Sequence, residues 1–212
     1  MFQSEVKQLQ LQTKKQAVRQ KGYSIIELSI ALAIISIILV TSLAGVQRVL
    51  RSNNVNNDLR NINLLAATVT NLINAQTTTS GITMGNLITL KAFSNFPAID
   101  TANNKVSNAF GGQITVAPNT ESVDGSAANT GFVIYSTNIP AEACADYING
   151  MSSISGSIAT SNSTSPSTLG ALFSTNVVRQ NGASKSLSDI ATACTVTSAN
   201  PKITISAFVG KT

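Results

Sequence analysis

The chain has 212 residues, with fourteen Lys and Arg, nine Asp and Glu, no His and two Cys. With no His and only Cys144 and Cys194 as thiols, Ser–His and Cys–His catalysis and a His/Cys zinc site are excluded. The net charge of +5 is not a nucleic-acid footprint: five bases and one acid lie in residues 1–22, leaving nine bases against eight acids beyond them.

Residues 1–22 are polar, Gln-rich and basic, and contain no apolar core of a secretory peptide. From Leu28 to Val46 run nineteen uncharged residues, and a helix of that length spans about 28 Å, close to the hydrocarbon thickness of a bilayer. Lys7, Lys14, Lys15, Arg19 and Lys21 precede this stretch, whereas only Arg48 and Arg51 stand just beyond it. That asymmetry favours a cytoplasmic N-terminus, with the remainder of the chain outside the cytoplasm.

The helix is expected to continue past the span. Val55, Leu59, Ile62, Ala66, Val69 and Ile73 recur at alternating spacings of four and three, which is one apolar stripe. Opposite it stand Asn53, Asn56, Asn57, Arg60, Asn63 and Asn74, residues of modest helix propensity that gain order from packing of the other face. The pattern predicts one helix over about 24–74, half in lipid and half lying on a soluble head, ended by the Thr77–Gly81 cluster.

Residues 82–110 read as a connecting region of short irregular or helical pieces, broken by Pro97. Gln113–Ala117, Gly131–Ser136 and Ile203–Val209 read as strands from their β-branched and aromatic content, with Leu172–Arg179 a fourth candidate. Pro140–Asn149 reads as a helix with Pro in its first turn and Gly150 past its end, and Ser186–Ala193 as a second short one. Residues 152–168, made largely of Ser, Thr, Ile, Gly and Asn, read as a surface loop. The fold class is therefore α+β, with a long N-terminal helix and an antiparallel sheet.

The segment that carries most information is Lys21-Gly22-Tyr23-Ser24-Ile25-Ile26-Glu27-Leu28, followed at once by the apolar run. It resembles the N-terminus of type IV pilin precursors, in which a Gly before the cut, an apolar or aromatic first residue and a Glu at the fifth mature position recur. Gly22, Tyr23 and Glu27 match these positions one by one. The physics of Glu27 points the same way: a carboxylate at the centre of a membrane span costs about 2.5–3.5 kcal/mol, and less near its end. Its compensation could be the amino group freed on Tyr23 by cleavage, or simply the positive end of the helix in the interfacial layer.

The resemblance implies the following. Residues 1–22 would be a cytoplasmic leader removed by prepilin peptidase after Gly22, and the same enzyme would methylate the Tyr23 amine. Residues 23–76 would form the long helix, with the membrane span and polymerisation core at about 24–46, and residues 77–212 the globular head. Glu27 of an incoming subunit would pair with the Tyr23 amine of its neighbour. The long leader, and the ending of Cys194, Pro201 and a strand at Ile203–Val209, are similar to the type IVb subfamily, which includes the toxin-coregulated pilin. Ala143-Cys144-Ala145-Asp146 looks like that family's first cysteine.

The partners so implied are other copies of the chain in a helical filament, the peptidase, the inner membrane and its assembly platform. The product would be an extracellular pilus for adhesion, aggregation or conjugation, not an enzyme, and without cofactor. A minor pilin or a type II secretion pseudopilin shares this N-terminus, and a membrane-anchored enzyme or binding module is the alternative of another class. The helix lacks the Pro of many type IVa pilins and offers only Thr41, Ser42 and Gly45 as loosening points, with close helix packing their plainer use.

Two cysteines beyond an export-type N-terminus read as a Cys144–Cys194 disulfide formed in an oxidising compartment, the alternative being two unpaired core thiols. The simpler readings of other motifs are local. Gly111-Gly112 lacks phosphate-loop spacing and marks a turn. Asp100, Glu121 and Asp124 are scattered loop carboxylates rather than a calcium site. Asn162-Ser163-Thr164 fits a glycosylation acceptor by chance composition.

Overall fold

In the computed structural model, residues 24–162, 173, 177–197 and 201–210 are described. The chain divides at Gln47/Arg48 into two compact units, of which the second is here called the head. Helix α1, Ile25–Asn74, contributes to both.

In the first unit α1 is apolar on every face. Its hydroxyl residues do not interrupt that character, because Ser29, Ser36, Thr41 and Ser42 each return a hydrogen bond to a carbonyl one turn earlier. A hydroxyl satisfied in this way can sit in an apolar medium without an orphaned donor.

In the head, α1 buries the stripe expected from spacing. Val55, Ile62, Ala66, Val69 and Ile73 are buried and Leu59 packs against them, while Asn53, Asn56, Asn57, Arg60 and Asn74 face outward. The connecting region then forms α2 (Met84–Thr89), capped by the Thr83 hydroxyl accepting from the Asn86 N–H, and two strands, β1 (Ala98–Asp100) and β2 (Lys105–Ser107). These three-residue strands carry no run of alternation, and their order comes from pairing with each other and with β3.

The remaining elements are β3 (Gln113–Pro118), β4 (Gly131–Ile139), α3 (Ala141–Met151), β5 (Ser157–Ser161), β6 (Val177–Gln180), β7 (Ala183–Ser184), α4 (Leu187–Ala193) and β8 (Ile203–Gly210). Among the described residues, all eight strands join one antiparallel sheet in the order β1-β2-β3-β4-β8-β5-β6-β7. The last strand thus lies in the middle, between β4 and β5, and Ile203, Ile205, Ala207 and Val209 point from it into the core shared with α1. On the other face Val133, Tyr135, Ala159 and Phe208 form a smaller cluster under Val123, with Ala117 and Phe173 at its edge.

Two expectations are corrected. Residues 152–168 are not all loop: Ser157–Ser161 pairs with β8 residue by residue, from Ser157↔Phe208 to Ser161↔Thr204. Its small side chains gave no propensity signal, and its order comes from lying between two strands. Gly150 does not end the helix expected at Pro140–Asn149 either, since α3 runs to Met151 and Pro140 occupies its N-cap rather than its first turn. Of the fourth strand candidate, Leu172–Arg179, only Val177–Arg179 is strand, within β6; Phe173 is helical, and residues 172 and 174–176 lie outside the described residues. So do Ser163 and Thr164 of the acceptor-like triplet.

Candidate functional site

Gly22 and Tyr23 lie outside the described residues, so the site is built from Glu27 onward. Glu27 sits in the first turn of α1, exposed, and takes no hydrogen bond or ion pair from any described side chain. A carboxylate there interacts favourably with the unpaired N–H groups of the helix start. From Ile25 to Leu50, fifteen large apolar side chains are between 50% and 83% exposed. Burying each such side chain fully is worth about 1.5–3 kcal/mol, so half of that, over all fifteen, comes to about 11–22 kcal/mol, as large as the net stability of an ordinary domain, about 5–15 kcal/mol. This surface demands an apolar cover. By length and composition α1 can cross a membrane, and the same surface can be covered by other helices.

Gly45 meets nothing within 4 Å, so no neighbour in the monomer requires a glycine there. Its value lies either in close approach of another helix or in local looseness.

Where α1 enters the head, one charged residue interrupts the buried stripe. Asp58 is 1% exposed. Both its oxygens accept from the Ala109 N–H, at 3.0 and 3.1 Å, and Oδ2 also accepts from the Tyr147 hydroxyl at 2.5 Å. Burial raises the Asp58 pKa, and the bonds from Tyr147 and Ala109 only partly offset this. Tyr147 is raised too, by burial first and then by the Asp58 charge and their shared hydrogen bond. The phenol is held by α3, packs edge-on against Phe110 with ring centroids 6.1 Å apart, and is hydrogen-bonded by Ser136.

The Ala109 side of this clasp is organised by Asn108. Its amide donates to Ser136 Oγ and the Thr137 carbonyl, and its Oδ1 accepts from the Phe110 and Gly112 N–H groups. Gly112 has no room for a side chain, because a Cβ there would lie 1.9 Å from the Thr137 carbonyl oxygen. Thus α1, α3, β4 and the β2–β3 turn meet at one buried polar knot. Less than one turn beyond Tyr147, α3 adds a second lock: a Cβ on Gly150 would lie 2.2 Å from Leu59 Cδ1, so the Leu59 side chain fills the space that a side chain at 150 would need.

Cys144 and Cys194 form a disulfide with Cα atoms 5.7 Å apart. It ties the buried side of α3 to the C-cap of α4, whose first turn is fixed by a capping box between Ser186 and Asp189. The scattered carboxylates serve locally. Asp100 accepts from the Ala102 and Asn103 N–H groups and the Asn103 side chain, which lowers its pKa. Asp124 accepts from the Asn181 N–H at 3.1 Å, and burial, with the Glu121 charge adding to it, pushes the Tyr135 pKa up to about 12.

Sequence reasoning missed Asp58, Tyr147 and Asn108. The signal for Asp58 was available: it stands three residues after Val55 and four before Ile62, on the stripe that must be buried.

Comparison with known proteins gives two family profiles. One, described as PilS N terminal, matches residues 52–207; the other, the prokaryotic N-terminal methylation motif, matches residues 18–43. Among solved structures, the chain is similar to a type IVb pilin from Salmonella typhi, with 22% identity and a TM-score of 0.50 over 73% of this chain and 99% of that one. It is also similar to TcpA, a type IV pilin from the Vibrio cholerae El Tor biotype, with 13% identity and a TM-score of 0.49 over 74% and 98%. No curated protein matches the chain.

Proposed function

The chain belongs to the PilS N-terminal family and carries the prokaryotic N-terminal methylation motif, and on that premise we propose that it is a type IVb pilin, a structural subunit of a pilus, processed and assembled as follows. The precursor is held in the inner membrane by α1 with its N-terminus cytoplasmic and its head periplasmic. Prepilin peptidase cuts it after Gly22 and methylates the new Tyr23 amine. Assembly exchanges lipid around Ile25–Leu50 for the same segment of other copies, and the head travels to the cell exterior in the filament.

The observation that carries this reading is the two-sided character of α1. From Val55 onward it buries its apolar stripe in its own head, while from Ile25 to Leu50 its apolar side chains stay exposed. Lipid and neighbouring helices both satisfy that surface, so transfer between them changes little hydrophobic energy. Something polar must then set direction and register. Glu27 supplies it: the carboxylate of an arriving subunit meets the Tyr23 amine of a subunit already in place, and each charge loses its uncompensated state in the apolar layer.

The test is filament yield from cells carrying Glu27→Val. The substitution eases membrane insertion and leaves the head untouched, so cut monomer accumulates in the membrane without pili. Wild-type amounts of filament from these cells refute the pairing. Gly22→Arg tests the earlier step, leaving a longer, unassembled precursor; normal filaments from it refute cleavage at this peptide.

A further inference from the structure

We propose that Asn181 is a site of spontaneous deamidation, whose product sets a second carboxylate against Asp124 and loosens the clamp between the 119–130 loop and the β6–β7 hairpin. This holds whether or not the chain polymerises. Two Asn-Gly steps occur in the sequence, Asn149-Gly150 and Asn181-Gly182. At such a step the glycine nitrogen attacks the asparagine side-chain carbonyl carbon. A new C–N bond closes a succinimide as the bond to Nδ2 breaks and ammonia leaves. Water then opens the ring at one carbonyl to give Asp or at the other to give isoaspartate. No oxidant or enzyme is needed, and a following glycine offers the least steric shielding of the attacking nitrogen.

The fold treats the two steps differently. Asn149-Gly150 lies inside α3, where helical hydrogen bonding holds the backbone and Leu59 packs against the glycine. The attacking nitrogen cannot swing onto the side chain without breaking the helix. Asn181-Gly182 is the exposed two-residue turn between β6 and β7, with φ of 49° and 80°. Among the described residues, the attacking group is held by the Gly182 N–H bond to the Gly156 carbonyl, 2.9 Å. Because β7 is a two-residue, exposed strand at the edge of the sheet, opening this turn disturbs little else.

The product has a target at hand. The Asn181 N–H donates to Asp124 Oδ2, and the neighbouring Val123, 1% exposed, covers Val133, Tyr135 and Phe208 on the outer face of the sheet. A new carboxylate on residue 181 repels Asp124. The isoaspartate form also lengthens the backbone by one methylene, which a turn closing the pairs Arg179↔Ser184 and Gln180↔Ala183 cannot absorb in register.

The experiment incubates the full-length protein in detergent under mildly alkaline conditions and follows both sites by mass spectrometry. Trypsin releases Gln180–Lys185, cut after Arg179 and Lys185; the expected result is an NH2-to-OH mass gain in this peptide, split between Asp and isoaspartate forms, at least about tenfold faster than at Asn149. An unchanged peptide, or equal rates at the two sites, overturns the assignment. For the consequence, Asn181→Asp speeds amide exchange at Val123 and Asn129 relative to wild type, and unchanged exchange there overturns the link to the 119–130 loop.

Discussion

The polar knot around Asp58 makes a quantitative claim about how the helix is held to the head. Tyr147→Phe removes the hydroxyl that meets Asp58 Oδ2 and leaves the ring in place against Phe110. A hydrogen bond to a charged group contributes about 1.5–3 kcal/mol. For a domain of this size each kcal/mol is worth about 2–4 °C, so the thermal midpoint of the detergent-solubilised chain falls by roughly 3–12 °C.

The pH dependence provides the sharper test. Burial raises the Asp58 pKa in the folded state, while the unfolded value stays near about 3.9. The folded chain therefore holds the Asp58 proton more tightly, and stability from this group is fully present below the unfolded pKa and lost as pH rises through the folded one. Asp100 has the opposite sign, because its lowered pKa gives stability that is lost on acidification. Subtracting the melting curve of Asp58→Asn from that of wild type cancels Asp100 and isolates Asp58. The difference is expected to favour wild type most in acid and to decline toward neutrality. A difference that grows with pH, or is flat, refutes the view that desolvation outweighs the donated hydrogen bonds.

Other consequences follow from the same geometry. Gly150→Ala places a methyl into Leu59 and destabilises the head by about 1–3 kcal/mol, with partial recovery in the double variant Leu59→Ala/Gly150→Ala, both read from chemical denaturation. Gly112→Ala collides with the Thr137 carbonyl and is expected to lower soluble yield of the head more than Gly125→Ala, where a positive φ but open space is found. Cys144→Ser opens a 50-residue closure, whose loss costs about 4 kcal/mol in the chain-entropy view; the protein is then expected to become protease-sensitive in its C-terminal half, with the proposed cleavage after Gly22 unaffected.

How much of this was legible in the sequence depended on which force set each element. The stripe from Val55 to Ile73 was readable because burial of one helix face imposes a spacing, and β4 and β8 because both are β-branched runs buried on both faces. Strands β1, β2 and β5 were not: Ala98–Asp100 and Lys105–Ser107 are three residues each, too short to show an alternation, and Ser157–Ser161 is ordered by β8, distant in the chain. Gly150 misled for a related reason. A glycine near the end of a helical pattern usually terminates it, but here Leu59, contributed from α1, needs the space. The N-terminal motif was legible as chemistry, with Glu27 beside an apolar run, whereas the Asp58 knot needed the tertiary partners Ala109 and Tyr147 to become more than one acid on a stripe.

On the assembly proposed above, the two carboxylates of α1 would divide folding from assembly within one helix. Asp58 finds its hydrogen-bond donors inside its own head, so its energy is spent in the monomer. Glu27 finds none among the described side chains, so its compensation must come from outside them. The sites are 31 residues apart in the sequence and share no partner, which is the condition under which effects add. Asp58→Ala should therefore lower the thermal midpoint and the amount of subunit, while the fraction of surviving subunit that enters filaments stays at the wild-type level. Glu27→Val should leave the midpoint unchanged and reduce that fraction to near zero. Measuring both quantities in both variants and in the double variant tests the division directly: a shifted midpoint in Glu27→Val, or a lowered assembled fraction in Asp58→Ala, would show that the two ends of α1 are coupled and that the helix does not carry the two tasks independently.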